Sequence, residues 1–247
     1  MAGIGFELKK LFKDKSAFGY AKAYAYTAVV TVGPFLLAVL LLLVLQLLLK
    51  EGEVPYAFRM VYQWSIVYAL VFSQILSSGF SMIITRFVAD QLYAGQEEYI
   101  LPSLHCMVVV ALACGAPVAI LFLWSSPLDF LLKALTYVLY LTMIVIWIQA
   151  VYLSALKDYR KILLAYAIGV GIAILAGVVV VWQGVYLVEG MLGAACLGVG
   201  VIAMILQWQL QRFFPWRAQQ VSYRQIMAAW LDYKELFGVN FFYTLGL

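Results

Sequence analysis

The sequence predicts an all-α membrane protein, a six-helix transmembrane bundle with interfacial helices beside it. Of the 247 residues, 66% are hydrophobic and only 11% are charged, whereas a soluble domain uses about 25% charged residues to cover its surface. All 28 Asp, Glu, Lys and Arg residues lie outside six long apolar stretches. This composition excludes a soluble fold, so lipid must surround the apolar stretches.

Residues 1–22 are predicted to form an amphipathic segment on the cytoplasmic side of the membrane. Apolar residues recur there at helical spacing beside lysines, a pattern typical of a helix on an anionic lipid surface. The apolar positions are Ile4, Leu8, Leu11 and Phe12, and the lysines beside them are Lys9, Lys10 and Lys13. A cleaved signal peptide is not predicted, because the first apolar stretch has 27 residues and lacks a cleavage site after a short core.

Residues 23–211 contain the six stretches that predict the transmembrane lobe. Each lacks Asp, Glu, Lys and Arg and has at least 22 residues, where about 20 apolar residues suffice to cross the membrane. The six spans are residues 23–49, 60–85, 99–128, 134–156, 162–188 and 190–211. Helices are predicted because the strands of a membrane barrel have only about 10 alternating residues, and isolated strands would leave backbone groups unpaired in lipid.

The distribution of Lys and Arg predicts the orientation of the bundle. Segments rich in these residues stay cytoplasmic, and 13 of the 16 lie on alternate segments, beginning with the N-terminus. The N-terminus and the segment after span six are therefore expected in the cytoplasm. The net charge of +4 reflects this topology and does not indicate a nucleic-acid partner.

Spans two and four each carry a polar face. Span two has Gln74, Ser78, Ser81 and Thr85 at steps of four, three and four, and span four has Thr142, Gln149 and Tyr152 at steps of seven and three. Because lipid cannot satisfy amides and hydroxyls, such faces point at protein or at a hydrated cavity. Cavity-lining side chains are predicted at Gln74, Ser78, Thr142 and Gln149. The alternative is hydrogen bonding between helices, worth about 0.6–2 kcal/mol per contact.

Spans five and six carry small residues at steps of four, which lets helix backbones approach each other in lipid. The residues are Gly169, Ala173 and Gly177 in span five, and Gly190, Ala194 and Gly198 in span six. The two spans are predicted to pack as a tight hairpin. The alternative is that the glycines mark a hinge.

After the sixth span, residues 212–235 are predicted to form an interfacial linker on the cytoplasmic surface, because aromatic residues alternate there with basic ones. The alternative is an ordinary solvated linker. Residues 236–247 begin a seventh apolar stretch of 12 residues, too short to cross the membrane. The sequence therefore predicts a chain truncated within a seventh span.

No catalytic, metal or nucleotide site is predicted. The six spans contain no Asp, Glu, Lys or Arg, so they offer no evident proton-coupling carboxylate. His105 is interpreted as a hydrogen-bonded packing residue, and Cys106, Cys114 and Cys196 show neither metal nor redox spacing. Without a nucleophile beside a base or a phosphate-binding loop, no enzymatic activity and no cofactor are expected.

Three segments resemble the PelG family, the inner-membrane subunits of a Pel exopolysaccharide export machinery, which are distantly similar to the multidrug/oligosaccharidyl-lipid/polysaccharide flippase superfamily. The segments are MAGIGFELKKLFKDKS (1–16), SSGFSMIITRFVADQLYAGQEEYI (77–100) and ALKDYRKILLAYAIG (155–169). A fourth segment, EGMLGAACLGVG (189–200), resembles the Gly-Ala-Ala entry to the sixth helix in that superfamily. The resemblance implies two six-helix lobes around a central cavity, of which this chain would be the first. It carries over no catalytic residue.

The resemblance also implies a function and partners. The expected activity is the translocation of a growing polysaccharide rich in N-acetylgalactosamine across the bacterial inner membrane. The implied partners are a cytoplasmic glycosyltransferase, PelF, and the membrane subunits PelD and PelE. Four basic residues are expected to face this synthase complex: Arg86, Lys157, Arg160 and Lys161.

Together, the uncharged polar faces and the resemblance favour passage of a neutral sugar polymer from cytoplasm to periplasm through a polar, helix-lined cavity. Hydroxyls and amides can hydrogen-bond sugars, and aromatic faces can stack on them, without the trapping that a buried charge would cause. Two alternatives stay open. The chain is a scaffold that anchors the synthase complex without transporting, or a flippase or antiporter for a small molecule or lipid-linked sugar.

Overall fold

A computed structural model describes residues 17–155, 159–184, 186–214 and 223–246. Within these ranges, six helices are long and apolar enough to cross a membrane, and strands are absent. The six are α1 (Ala17–Glu51), α2 (Tyr56–Ala94), α3 (Ile100–Trp124), α4 (Phe130–Ala155), α5 (Tyr159–Gln183) and α6 (Leu187–Phe213). The predicted fold class, an all-α membrane protein with a six-helix bundle, is confirmed.

Helix α2 is longer than the span predicted at residues 60–85, because it begins at Tyr56 and ends at Ala94. At 1.5 Å per residue, its 39 residues measure about 58 Å, well beyond a hydrocarbon core of about 30 Å. Pro55 precedes its first turn, and Gly95 ends it in the left-handed conformation with φ 69°, which favours glycine. The charged residues Arg86 and Asp90 therefore continue the same rigid helix that carries the polar face.

Helix α4 lies at the centre of the bundle and packs against α2, α3 and α6, while α5 packs against α1 and α6. The hairpin predicted for spans five and six is confirmed. A Cβ atom built on Gly198 would lie 2.5 Å from the Cβ of Ala173 and 2.6 Å from the main-chain oxygen of Gly169. The two helices thus touch backbone to backbone, as small residues permit.

Contacts between helix termini define two ends of the bundle. Near one end, Ser103 at the start of α3 bonds Tyr152 at the end of α4, and Lys161 at the start of α5 lies over Phe213 at the end of α6. We call this the basic end, since Arg86, Lys161 and Arg212 lie there. The opposite end carries the connections at residues 52–55 and 125–129, and the end of α5 with the start of α6.

Two shorter helices follow the bundle, α7 (Tyr223–Leu231) and α8 (Lys234–Leu245). Helix α7 buries Ile226 and Trp230, and the Trp230 ring meets Phe87 of α2 edge to face with centroids 6.3 Å apart. Helix α8 packs along α2. Helix α2 is therefore bounded by α4 inside the bundle and by α8 outside it. Residues 1–16, which hold most of the predicted amphipathic segment, lie outside the described residues.

Candidate functional site

Helix α8 covers part of the polar face of α2 through a single asparagine. The Asn240 side-chain amide donates to the main-chain oxygen of Ser78 and to the Ser81 hydroxyl, the latter at 2.6 Å. Both serine hydroxyls donate within their own helix, Ser78 to Ile75 O and Ser81 to Ser78 O. Helix α8 is thus joined to α2 by the two hydrogen bonds of one side-chain amide.

Gly79 lies between the two serines and provides the space for α8. A Cβ atom there would lie 2.5 Å from Cε2 of Phe237, and the Phe237 ring meets Phe80 with centroids 5.2 Å apart. The contact between α2 and α8 therefore combines a close approach at a glycine with hydrogen bonds on either side of it.

The rest of the α2 polar face is open. Gln74, one turn before Ser78, is exposed, and so is Thr85, one turn after Ser81. The Thr85 hydroxyl donates to Ser81 O at 2.7 Å within the helix. Of the polar face predicted on span two, α8 therefore covers the middle and leaves an amide and a hydroxyl exposed at its two ends.

The polar residues of α4 have different surroundings. Gln149 is only 2% exposed, and its amide donates to Gln207 of α6 at 3.0 Å. The Gln207 amide in turn lies 3.2 Å from His105 Nε2 of α3. Thr142 is partly exposed and donates to Val138 O at 2.8 Å in its own helix. Gln149 is thus enclosed among three helices of the lobe.

The structure therefore brings Gln74 and Ser78 together on one face of α2 and places Gln149 in a separate network inside the bundle. That all four predicted side chains line a cavity stays a prediction. The interhelical hydrogen bonding considered as its alternative is present at Gln149 and, through Asn240, at Ser78 and Ser81.

The basic end carries two of the four basic residues expected to face a partner. Arg86 Nε lies 3.1 Å from Asp90 Oδ2 on the same helix, and Lys161 Nζ lies 5.2 Å from the centre of the Phe213 ring. Both hold a positive charge at the surface of this end. Lys157 lies outside the described residues, and only the backbone of Arg160 is described.

Asp90 also accepts a hydrogen bond of 2.7 Å from Tyr233, in the turn between α7 and α8. The pKa of Tyr233 is raised above its ordinary value because its hydroxyl donates to the Asp90 carboxylate, with smaller contributions from burial and acidic charge. The tyrosine therefore keeps its proton and holds the start of α8 against the end of α2.

Three of these residues were not singled out by the sequence: Gln207, Tyr233 and Asn240. A signal existed for the two amides, since each stands in an apolar helix where its hydrogen bonds must be made to another helix. Among the residues described, no three His, Cys, Asp or Glu side chains gather as metal ligands.

Comparison with known proteins gives one result. A family model described as "PelG: Putative exopolysaccharide Exporter (EPS-E)" matches residues 1–247. No curated protein and no solved structure matches the chain.

Proposed function

Because the chain belongs to the PelG family of exopolysaccharide exporters, we propose that α2 lines the route of a neutral sugar polymer through the membrane. The membership confirms the resemblance seen in the sequence. PelG is an exporter family and not a known enzyme family. With six apolar helices long enough to span, the chain is a multi-pass membrane protein.

The observation that carries the proposal is the arrangement around Gln74. An exposed amide lies within the membrane-spanning helix α2, one turn from the point where Asn240 fixes α8. An amide facing lipid would leave its hydrogen-bonding groups unsatisfied, whereas hydroxyl groups of a sugar can both donate to it and accept from it. Helices α2 and α8 would thus form two walls of a route whose polar face within the membrane, from Gln74 to Thr85, is uncharged.

The same proposal includes the direction of transport and the membrane in which the protein lies. The basic end lies in the cytoplasm of a bacterium, following the rule that Lys and Arg collect there, and the membrane is the inner one. Arg86 and Lys161 face the synthase complex, which in this family consists of the glycosyltransferase PelF with PelD and PelE. The polymer enters at the basic end and leaves at the opposite end.

The test is a bulky substitution at the exposed amide. Gln74→Trp should reduce secreted polymer at least tenfold, because an indole fills the space beside α2. The matched control is Leu175→Trp, since Leu175 is 68% exposed on α5, away from the polar face. Secreted polymer is quantified in cells in which the two variants reach equal membrane levels.

The same two variants distinguish a transporter from a non-transporting scaffold. A non-transporting scaffold would leave polymer secretion intact in Gln74→Trp, and that result would contradict the proposal. Co-purification of the partner subunits with both variants shows that a loss of secretion is not a loss of assembly. A dependence of transport on an ion gradient in proteoliposomes would instead favour the antiporter alternative.

A further inference from the structure

Three aromatic rings form a continuous row along α2, toward the opposite end of the bundle. Trp64, Tyr68 and Phe72 follow one another at steps of four, and their stacked rings have centroids 5.6 and 6.0 Å apart. Phe122 of α3 closes the row, with its centroid 5.9 Å from Tyr68 and 5.4 Å from Phe72. All four side chains are between 40% and 52% exposed, so the rings present their surface instead of filling the core.

A cleft of about 380 Å³ opens beside this row between α2, the end of α3 and the start of α4. This volume lies in the range of small-molecule sites. Its walls combine Trp64, Tyr68 and Phe122 with four hydroxyl-bearing residues, which are Ser65, Ser125, Ser126 and Thr136. A smaller space of about 70 Å³ shares Tyr68, Phe122 and Thr136 with the cleft and also touches Phe72 and Tyr140.

The hydroxyl groups of the cleft are able to accept hydrogen bonds. Ser65 donates its proton to Val61 O at 2.8 Å, and Thr136 donates to Leu132 O at 2.7 Å. A hydroxyl that donates to its own helix still has lone pairs for a donor in the cleft. The hydroxyl groups that line the cleft therefore suit a ligand that carries many hydroxyl or amide donors.

The charge of the lining narrows the class of ligand. Of the described residues that line the two parts of the cleft, none is ionisable except tyrosine. A phospholipid headgroup would find no counter-charge in it, and an acyl chain would offer no donor to the remaining lone pairs of the hydroxyl groups. A pyranose ring meets both features, because its C–H face packs on an aromatic ring while its hydroxyl groups reach those that line the cleft.

The spacing of the rings favours a polymer over a single sugar. Residues at steps of four rise about 6 Å along a helix, a distance comparable with the length of one pyranose unit. Successive rings of α2 can therefore contact successive units of a chain that lies along the helix.

We propose that this cleft, the aromatic cleft, binds consecutive pyranose units of a neutral polysaccharide at the end of the bundle opposite the basic end. The inference rests on the proposed function for the identity of the polymer and for the direction of movement. It adds a site separate from the predicted cavity residues, because the rings and hydroxyls of the cleft lie on α2, α3, α4 and the connection between α3 and α4 and include none of those residues.

The test is direct binding of an N-acetylgalactosamine tetrasaccharide to the purified full chain in lipid nanodiscs, measured by calorimetry. Trp64→Ala and Tyr68→Ala should each raise Kd about tenfold, since each removes one ring contact. Tyr68→Phe, which keeps the ring, should change Kd less than twofold. Trp182→Ala is the matched control, because Trp182 is 88% exposed on α5 near the same end but outside the cleft.

Several results would overturn the proposal. They are no binding by the wild-type chain, equal Kd for Trp64→Ala, Tyr68→Ala and Trp182→Ala, or equal weakening by Tyr68→Phe and Tyr68→Ala. Unchanged Kd in the alanine variants would mean that the rings form an aromatic belt facing lipid headgroups. Circular dichroism and thermal unfolding of each variant separate a lost contact from a lost fold.

Failure of this inference is distinguishable from failure of the proposed function. If Gln74→Trp blocks secretion while Tyr68→Ala leaves tetrasaccharide affinity unchanged, the route along α2 stands and the aromatic cleft does not. If Tyr68→Ala weakens binding while Gln74→Trp secretes normally, the cleft is a glycan site and the proposed route is wrong.

Discussion

The α5–α6 hairpin and helix α2 hold their neighbours in two different ways. In the hairpin, Gly169 and Gly198 bring backbone atoms together, so the contact depends on shape. On α2, the outer neighbour α8 is held by the hydrogen bonds of Asn240 and by rings packed around Gly79. Since lipid provides little hydrophobic drive for helices to associate, the hairpin depends mainly on the close packing of small residues, whereas the α2–α8 contact adds hydrogen bonds to a close approach at Gly79.

The comparison indicates where movement and binding can occur. The backbone contact in the hairpin leaves little freedom, because a Cβ added at Gly169 or Gly198 would meet a main-chain oxygen at 2.6 Å. A hydrogen-bonded contact is worth about 0.6–2 kcal/mol and can be exchanged for a bond to a passing hydroxyl group. We therefore interpret the hairpin as the fixed frame of the bundle and α2 as the surface along which the proposed route runs.

The largest expected effect is at the hairpin. Gly198→Ala should destabilise the folded protein by about 1–3 kcal/mol, as overpacking does in a filled interior, because its Cβ would lie 2.6 Å from Gly169 O. The control is Gly200→Ala on the same helix, where an added Cβ meets nothing within 4 Å. Unfolding in detergent measures both. Equal stabilities would show that the backbone contact is not rigid.

A smaller effect is expected where α8 meets α2. In a double-mutant cycle of Asn240→Ala and Ser81→Ala, the coupling free energy should be about 0.6–1.7 kcal/mol, the range for one hydrogen bond between membrane helices. Ser65→Ala replaces Ser81→Ala as the control, because its hydroxyl also donates within α2 but lies about 24 Å from Ser81 along that helix, away from Asn240. A coupling free energy near zero with Ser81 would show that the hydrogen bond between Asn240 and Ser81 does not hold α8 against α2.

The smallest effect is expected at the turn before α8, and it depends on pH. Because the pKa of Tyr233 is raised, its bond to Asp90 contributes fully below the ordinary tyrosine pKa of about 10 and is lost as the pH rises through the higher folded value. Exchange of the amide hydrogens of α8 should therefore accelerate above about pH 10 in the wild type. In Tyr233→Phe the amides of α8 should exchange faster already at neutral pH. They should show no additional acceleration from ionisation of a tyrosine hydroxyl at position 233. Identical pH profiles for the two proteins would exclude this bond as a tether.

Features encoded in consecutive residues were predictable from the sequence. The six spans followed from apolar stretches, and the hairpin followed from small residues at steps of four, such as Gly169 and Ala173. These properties depend on local composition and spacing, because an apolar stretch in lipid must pair its backbone groups within a helix and small residues let helices approach each other. The extension of α2 to Ala94 was missed, because its final turns carry charged residues that the criterion for a span excludes.

Pairings between distant residues were not predictable in the same way. Asn240 contacts Ser78 across 162 positions and Gln149 contacts Gln207 across 58, and a polar face alone does not reveal which helix will cover it. The polar face of span two was identified correctly as a row of side chains. Its division into a middle covered by α8 and exposed ends follows only from how the helices pack. The same holds for the aromatic cleft, whose walls come from three helices.

The most direct test of the central claim, that the polymer moves along α2, is photo-crosslinking during export. A photoreactive amino acid replaces Gln74 in cells that secrete polymer, and Leu175 in a parallel strain. After illumination, we expect polymer attached to the protein at position 74 and none at position 175. Equal labelling at the two positions, or lipid as the sole adduct at position 74, would contradict the account.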